Sequence, residues 1–402
     1  MAPPHDTHGS ARRRVLFVNT ATRPPLGADT WVHLQIMRAL DRRTHELVAA
    51  CAFGSEASPT PTYAVARTIP DLELVRVNFG AEMYAPSTAQ KIRGLLGTIP
   101  VLSGMVRLAM LIRRRDVRII HTSDRPRDAA VCVLLARLTR AKCIIHVHVA
   151  YGEWMSPMLK KALLRADALV AVSSFVKDTL VASGLRANTT FVVLNASDAA
   201  ELVPGEGRED ARREYGAAPD DPVVITVCRL FPEKGPALLI QAMAPVVARH
   251  PSARLIIVGQ EMTPGYTAEL QALADRLDIG DQVTFTGRRT DVARLMAGAD
   301  IFAMPSFEEP FGLVFTEAMA LQLPVVALDS GGAPEIIEHG YSGLLSAPGD
   351  VAAVTDHLLK LVEDPALRHT MGEHGRTAVE QRFTVQRMAA DMAAVYALVA
   401  SA

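Results

Sequence analysis

Eleven short runs rich in Val, Ile, Leu and Phe punctuate the chain, and their texture constrains the fold more than any other feature. "RVLFVN" (14–19), "ELVAACA" (46–52), "VRIIHT" (117–122), "KCIIHVHV" (142–149), "ALVAVSS" (168–174) and "TFVVLN" (190–195) come first. "VVITVC" (223–228), "RLIIVG" (254–259), "QVTFTG" (282–287), "DIFAM" (300–304) and "PVVAL" (324–328) follow. Runs apolar at nearly every position belong to strands buried on both faces, and helical patterns such as "TWVHLQIMRAL" (30–40), "DAAVCVLLARL" (128–138) and "PMLKKALLRA" (157–166) lie between several of them. That alternation predicts an α/β protein with parallel sheets covered by helices. The polar, Gly- and Pro-containing stretch "ASDAAELVPGEGREDARREYGAAPDDP" (196–222) separates the two series. Two Rossmann-like, doubly wound domains are expected, over 14–203 and 204–384, with closing helices at about 351–363, 365–382 and 385–400. In such folds ligands bind beyond the carboxyl ends of the strands, so a cleft between two such domains is the expected site.

A length of 402 residues suits two domains. A net charge of −1 gives no overall field to draw the chain to nucleic acid or anionic lipid. The four cysteines, Cys51, Cys132, Cys143 and Cys228, are scattered in or beside apolar runs with no C-x-x-C, the pattern of core thiols in a reducing compartment. Residues 1–13 are polar with no apolar signal core and read as a disordered lead-in. The stretch 95–115 is the most membrane-like, but Gly97, Pro100, Gly104 and Arg107 interrupt it. Val101, Met105, Leu108 and Ile112 recur at helical spacing, so a packed amphipathic helix is expected, with a helix resting on a membrane surface as the alternative.

Several groups in this frame suit a charged, hydroxyl-rich ligand. Arg229 and Lys234 flank the loop between strand 223–228 and the next helix, where backbone donors and cations together favour a phosphate or diphosphate. Solvated surface charge is the plain alternative, and no P-loop motif is present. In "PSFEEPFGLVFTEAMA" a helix should start near Gly312, leaving the amides of Phe311, Gly312 and Leu313 free for an anion. Glu309 just before it favours the helix N-terminus. Glu317 shares a helical face with Leu313 and Leu321, where a carboxylate is costly unless something bonds it. A ribose diol and a buried salt bridge both satisfy that requirement. Gly331 and Gly332 allow close backbone approach. In the first half His146 and His148 alternate near the end of one strand and His121 ends another. A metal reading of this set lacks a matching carboxylate, and a cleft-lining or core role fits better. Gly27 follows the first strand, with no G-x-G-x-x-G for a dinucleotide.

"RLFPEKG", "PSFEEPFGLVFTEAMA", "LPVVALDSGGAPEII" and "GYSGLLSAPGD", in this order, closely resemble the retaining glycosyltransferases of family 4, which have the GT-B architecture. "ADALVAVSSFVKDTLVASG" (166–184) and "NASD" (195–198) extend the resemblance over nearly the whole chain. It implies transfer of a sugar from a nucleoside diphosphate sugar, UDP- or GDP-sugar, to an acceptor hydroxyl, without a metal or other cofactor. Arg229 and Lys234 would take the diphosphate, Glu309 the donor sugar hydroxyls, and Glu317 the ribose. Phe311, Gly312, Leu313 and Gly27 would approach sugar or phosphate, and His148, with His146 as its rival, would sit over the donor sugar. The catalytic set is then Glu309, His148, Arg229 and Lys234, and Arg288 is a candidate for the base pocket. The last helix, 385–402, would pack back on the first domain. The acceptor is open among a glycan, a lipid-linked glycan and a small metabolite. No nucleic-acid partner is implied, and a cytoplasmic location is, with peripheral association at the inner membrane face left open. Leu26-Gly27, Gln322 and "VGQEM" depart from the usual glycine-richer pattern. Competing readings are a nucleotide-sugar epimerase or phosphorylase, and a non-catalytic sugar-nucleotide-binding subunit.

Overall fold

Two parallel sheets organise the chain, seen in a computed structural model that describes residues 12–22, 26–79, 98–196, 198 and 201–401. Residues 1–11 of the expected lead-in lie outside the described residues, as does Ser197 of the "NASD" segment, and the first strand already begins at Arg13. The first sheet holds β1 (Arg13–Asn19), β2 (His45–Ala52), β3 (Leu72–Val77), β4 (Ile119–Ser123), β5 (Lys142–Val147), β6 (Ala168–Ala171) and β7 (Thr190–Val192), in the spatial order β3-β2-β1-β4-β5-β6-β7. The second holds β8 (Val223–Val227), β9 (Arg254–Val258), β10 (Val283–Gly287), β11 (Ile301–Met304), β12 (Val325–Leu328) and β13 (Gly343–Ser346), in the order β10-β9-β8-β11-β12-β13. Each strand pairs its neighbours in parallel. In both sheets the order reverses once, between β1 and β4 and between β8 and β11. These are the topological switch points of doubly wound folds.

The apolar runs are buried as their texture requires: Val15, Leu16 and Val18 of β1, and Val223, Val224 and Ile225 of β8, are fully inaccessible. β3 and β13 are additions to the strands read from the sequence. Each is an edge strand, where one side needs no partner and the apolar run weakens; β3 carries Glu73 and Arg76, and β13 is only "GLLS".

The polar stretch 196–222 is more than a connection, because it contains the helix Arg208–Glu214. Arg208 and Arg212 hold Asp300 at 2.6 and 3.1 Å, and Asp300 also accepts from the Val223 amide at 2.8 Å. The cations that look like linker composition therefore anchor a helix to the start of β8.

The chain forms two compact units. One takes the described residues up to Val172, then 176–193 and 385–401; the other takes Ser173–Phe175 and 194–384. The helix Thr98–Arg114 buries Leu108 and Ile112, the face expected from their spacing, and leaves Leu102, Val106 and Met110 exposed. Among the described residues no helix is long and apolar enough to cross a membrane.

Candidate active site

In the second unit the switch point gathers the charged groups. The loop leaving β8 carries Arg229 and Lys234, and the loop leaving its neighbour β11 carries Ser306 and Glu309. Lys234 Nζ donates to Glu309 Oε2 in a short ion pair, with both side chains largely covered. The Ser306 hydroxyl donates to the same oxygen at 3.0 Å. The pairing was not legible in either motif alone, since the partners are far apart in sequence. Phe231 lies between the cations, with Arg229 Cζ and Lys234 Nζ each 5.6 Å from its ring centroid. Arg229 is exposed and, among the described residues, forms no ion pair.

Backbone conformation makes this close approach feasible. Gly235 has φ +70°, and a Cβ there would lie 2.0 Å from the Pro305 carbonyl oxygen, so no side chain fits where the two loops cross. Gly331 and Gly332 admit a close approach too, but from the protein itself: Gly332 N–H donates to the Glu309 carbonyl at 2.7 Å, and a Cβ on Gly331 would meet the Glu309 backbone at 2.5 Å. They hold the Glu309 loop in place. Glu308, puzzling in the sequence, occupies a left-handed turn position at φ +51° within that loop.

The helix Leu313–Ala320 follows. Among the described residues the N–H groups of Phe311, Gly312 and Leu313 have no acceptor, which leaves an anion site at the helix start. Glu317 lies one turn further on. No hydrogen-bond partner for its carboxylate occurs among the described residues, and burial pushes the acid up to about 7 from an ordinary 4.5. The salt-bridge alternative for Glu317 is thus excluded within the described chain. Arg288 is exposed just past β10, next to Arg289, which is bound to Asp291 and Glu214.

In the first unit the switch point lies between β1 and β4. Gly27 precedes the helix Ala28–Ala39, and a Cβ there would meet Asp29 Oδ1 at 2.5 Å. Asp29 is gripped by the Arg125 guanidinium at 2.7 and 3.2 Å and accepts from Ser123 Oγ at 3.3 Å. Burial alone would raise the Asp29 acid, but Arg125 outweighs it and holds the group below its usual value. Beside this pair stand four histidines. His33, absent from the sequence expectations, comes from the helix; His121 lies on β4, His146 on β5, and His148 just beyond β5. Ring centroids are 4.6 Å apart for His33–His121 and 4.4 Å for His146–His148.

His146 is wholly buried, whereas His148 is part-exposed with both ring nitrogens covered. Burial lowers His148 to about 4 and His33 to about 3, so both imidazoles are neutral near pH 7. The His148 amide donates to Asp124 at 2.9 Å; burial lifts that acid to about 7 in spite of the bond. Ligand nitrogens of His33, His121 and His146 fall within 4.8 Å of one another, against about 3.3 Å for nitrogens sharing a tetrahedral ion at 2.0–2.1 Å. His121 Nδ1 is already engaged by the Tyr396 hydroxyl at 2.6 Å. His33 could have been suspected only from its place on a helix face between Asp29 and Thr30 on one side and Ile36 and Met37 on the other.

Comparison with known proteins adds the family. A family model described as "Glycosyl transferases group 1" matches residues 207–378, and one described as "Glycosyltransferase Family 4" matches residues 30–201. A Mycobacterium tuberculosis protein named GDP-mannose-dependent alpha-(1-6)-phosphatidylinositol monomannoside mannosyltransferase is 30% identical over 308 residues, 72% of this chain and 78% of that one. A Corynebacterium glutamicum protein named GDP-mannose-dependent monoacylated alpha-(1-6)-phosphatidylinositol monomannoside mannosyltransferase is 28% identical over 94% of this chain and 96% of that one. Among solved structures, Anabaena Alr3699/HepE in complex with UDP and glucose matches with a TM-score of 0.77 over 96% of this chain and 100% of that one, at 24% identity, a likeness of fold.

Proposed function

The chain belongs to the group 1, family 4 glycosyltransferases, nucleotide-sugar-dependent enzymes of GT-B architecture, and from that premise we propose that it transfers the sugar of a UDP- or GDP-sugar to an acceptor hydroxyl with retention of anomeric configuration. The observation that carries the site assignment is the convergence of Lys234, Arg229, Glu309 and the free amides of Phe311–Leu313 on one switch point of the second unit.

Breaking the anomeric C–O bond develops positive charge on the sugar and negative charge on the leaving diphosphate. Arg229, Lys234 and the helix-start amides are donors held in place before that charge forms, which is electrostatic preorganisation. They take the place a metal ion would otherwise fill. The leaving phosphate oxygen accepts the acceptor's proton while attack proceeds on the same face of the sugar. Glu309, fixed by Lys234 and Ser306, accepts hydrogen bonds from the donor sugar hydroxyls. Glu317 accepts from the ribose diol, and Arg288 lies against the base. In the first unit the Gly27 backbone, beside Asp29, approaches sugar or phosphate, and neutral His148 serves as a hydrogen-bonding group over the donor sugar. The same reading puts 14–203 on the acceptor side and 204–384 on the donor side. It also includes peripheral association with the inner membrane face, supported by exposed Leu102, Val106 and Met110 on a helix that ends in Arg113 and Arg114.

A thermal-shift screen of UDP-, GDP-, ADP- and dTDP-sugars tests the donor site, because a ligand bound to the folded state raises the melting temperature. One UDP- or GDP-sugar should stand out, Lys234→Ala should reduce turnover by at least a hundredfold, and EDTA should leave activity intact. Proton NMR of the product reads the anomeric configuration. Conversion of the donor alone into an isomer would instead identify an epimerase.

A further inference from the structure

We propose that the first unit docks on an anionic lipid surface through one face made by three neighbouring helices, Thr98–Arg114, Pro126–Thr139 and Pro157–Leu163. The proposal rests on the peripheral membrane association in the reading above. It widens the contact from one helix to a three-helix face and names the charge of the lipid.

Topology puts these helices side by side. β4, β5 and β6 are successive neighbours in the sheet, so the right-handed crossovers between them lay the helices Pro126–Thr139 and Pro157–Leu163 on the same face. The helix Thr98–Arg114 packs on the first of these, and Arg113 Nη2 donates to the Leu138 carbonyl at 2.6 Å across the seam. Each helix ends a few residues before the amino end of the next strand, so the three run parallel and their C-termini share one edge.

Their inner sides are core, with Leu108, Ile112, Leu135 and Leu159 buried. Their outer sides are not the polar surface of an ordinary covering layer. Leu102, Val106 and Met110 stand out from the first helix, and Leu134 and Leu138 from the second. Trp154, Met158 and Leu164 stand out in and beside the third. These side chains are 43–66% exposed, and they are eight of the thirteen exposed large apolar side chains among the described residues. Single exposed leucines are normal; a set gathered on adjacent helices marks an interaction surface.

Charge selects the partner. Residues 98–167 hold thirteen Lys and Arg against five Asp and Glu, in a chain whose net charge is −1. The one acid on the three helices is Asp128, which is buried. Exposed cations gather at the C-terminal edge, among them Arg113, Arg114, Arg137, Lys161 and Arg165. One cation at each helix end would complement the dipole, and this edge carries more than that. Two acids near the edge are matched, Asp116 by Arg118 at 3.0 Å and Asp167 by Lys142 at 3.6 Å. Residues 80–97, outside the described residues, add Lys91 and Arg93 against Glu82 by sequence. The second and third helices with their flanks supply five of the eight exposed apolar groups, so the face does not depend on that segment.

A second copy seated on this face by two-fold symmetry would bring the cations against each other. An anionic bilayer complements both features at once. Its phosphates meet the cations, while leucines and Trp154 enter the boundary between headgroups and acyl chains.

Vesicle flotation of the full chain tests this, with phosphatidylcholine alone and with phosphatidylglycerol added. Binding should be at least tenfold tighter to the anionic vesicles and should weaken with salt. Leu134→Ser/Leu138→Ser/Met158→Ser and Arg137→Glu/Lys161→Glu/Arg165→Glu should each weaken it tenfold or more. Both sets change exposed side chains, and unaltered melting shows that the fold is kept. Trp31→Phe leaves Trp154 as the single tryptophan, whose emission should move to the blue and be quenched by brominated phosphatidylcholine in the anionic vesicles. The proposal is overturned if the unaltered chain does not prefer anionic vesicles, or if both triple variants keep full affinity. It also falls if only the charge variant matters and Trp154 stays unquenched, since the apolar face is then not in lipid. Dimerisation in sedimentation velocity that the serine variant abolishes, without vesicle binding, would assign the face to a second copy. If Leu102→Ser/Val106→Ser alone removes vesicle binding and the triple variants do not, single-helix association stands and the three-helix face falls. A chain that ignores vesicles yet is stabilised by a nucleotide sugar leaves the glycosyltransferase reading intact.

Discussion

At the scale of single residues, Glu309 and Glu317 exchange the characters that their local sequence suggests. Glu309 looks like a routine helix-start charge, yet its carboxylate is engaged by Lys234 and Ser306 before any substrate arrives. Glu317 looks like half of a buried salt bridge, yet no partner occurs among the described residues and burial lifts its acid to about 7. A consequence for pH follows. Ribose hydroxyls bond best to the ionised form, while the empty site holds its proton until about pH 7. Affinity for a nucleotide sugar, whose diphosphate diester does not titrate in this range, should therefore rise about tenfold from pH 6 to pH 8. Calorimetric titration across that range measures it. Glu317→Gln should bind more weakly at pH 8 and lose the slope; an unchanged slope in that variant would show that another group titrates. The linkage also has a sign for stability. With the folded-state value raised above the unfolded one, the ligand-free protein is favoured below about pH 4.5 and loses that contribution as pH rises to about 7. Glu317→Gln should flatten this part of the stability profile.

At the scale of elements, legibility tracked burial and local capping. Helices expected at 351–363 and 365–382 occur as Val351–Glu363 and Pro365–Arg382, and each has an aspartate N-cap, Asp350 on the Ala353 amide and Asp364 on the Leu367 amide, both at 2.9 Å. Edge strand β3 escaped because a part-exposed strand loses the continuous apolar signature, and β13 because it is only four residues long and begins with Gly and ends with Ser. A cavity lined by Arg76, Arg107 and Arg127 in the first unit escaped for another reason: its described walls come from five separate segments, and no local pattern encodes their meeting. Gln322 illustrates an element-scale departure. It departs from the glycine that the resemblance implies there, and the structure puts it just after the helix Leu313–Ala320 at φ +61°, the left-handed position that ends many helices. Its effect falls on the helix end, against which Gly372 of the helix Pro365–Arg382 packs so closely that a Cβ would lie 2.0 Å from the Gln322 carbonyl oxygen. Gln322→Gly should therefore stabilise the chain by about 0.5–1 kcal/mol, since relief of left-handed strain exceeds the entropy cost of glycine. Chemical denaturation would register this as a higher midpoint with the slope unchanged; a lower midpoint would mean that the glutamine side chain contributes more than the strain costs.

At the scale of the whole molecule, chain order and structural membership part company at the C-terminus. The helix Val385–Ser401 follows the second unit in sequence but belongs to the first. It buries Met388, Met392, Val395, Tyr396 and Val399, and its Tyr396 hydroxyl bonds His121 Nδ1 on β4, 275 positions away. Several large side chains buried at about 1.5–3 kcal/mol each amount to most of the stability of an ordinary domain. Removing everything after Thr384 should therefore lower the melting transition of the first unit or abolish it. The second unit, complete without the helix, should still be stabilised by a nucleotide sugar. Differential scanning calorimetry with and without the donor separates the two responses. Tyr396→Phe offers a finer test that leaves the helix in place. It removes only the hydroxyl from a fully buried pair and leaves His121 with both nitrogens unpartnered, a loss of about 1–3 kcal/mol. The full-length variant should therefore melt earlier in the first unit alone. A truncated chain whose calorimetric trace superimposes on that of the full chain would show that the last helix contributes nothing to the fold of the first unit.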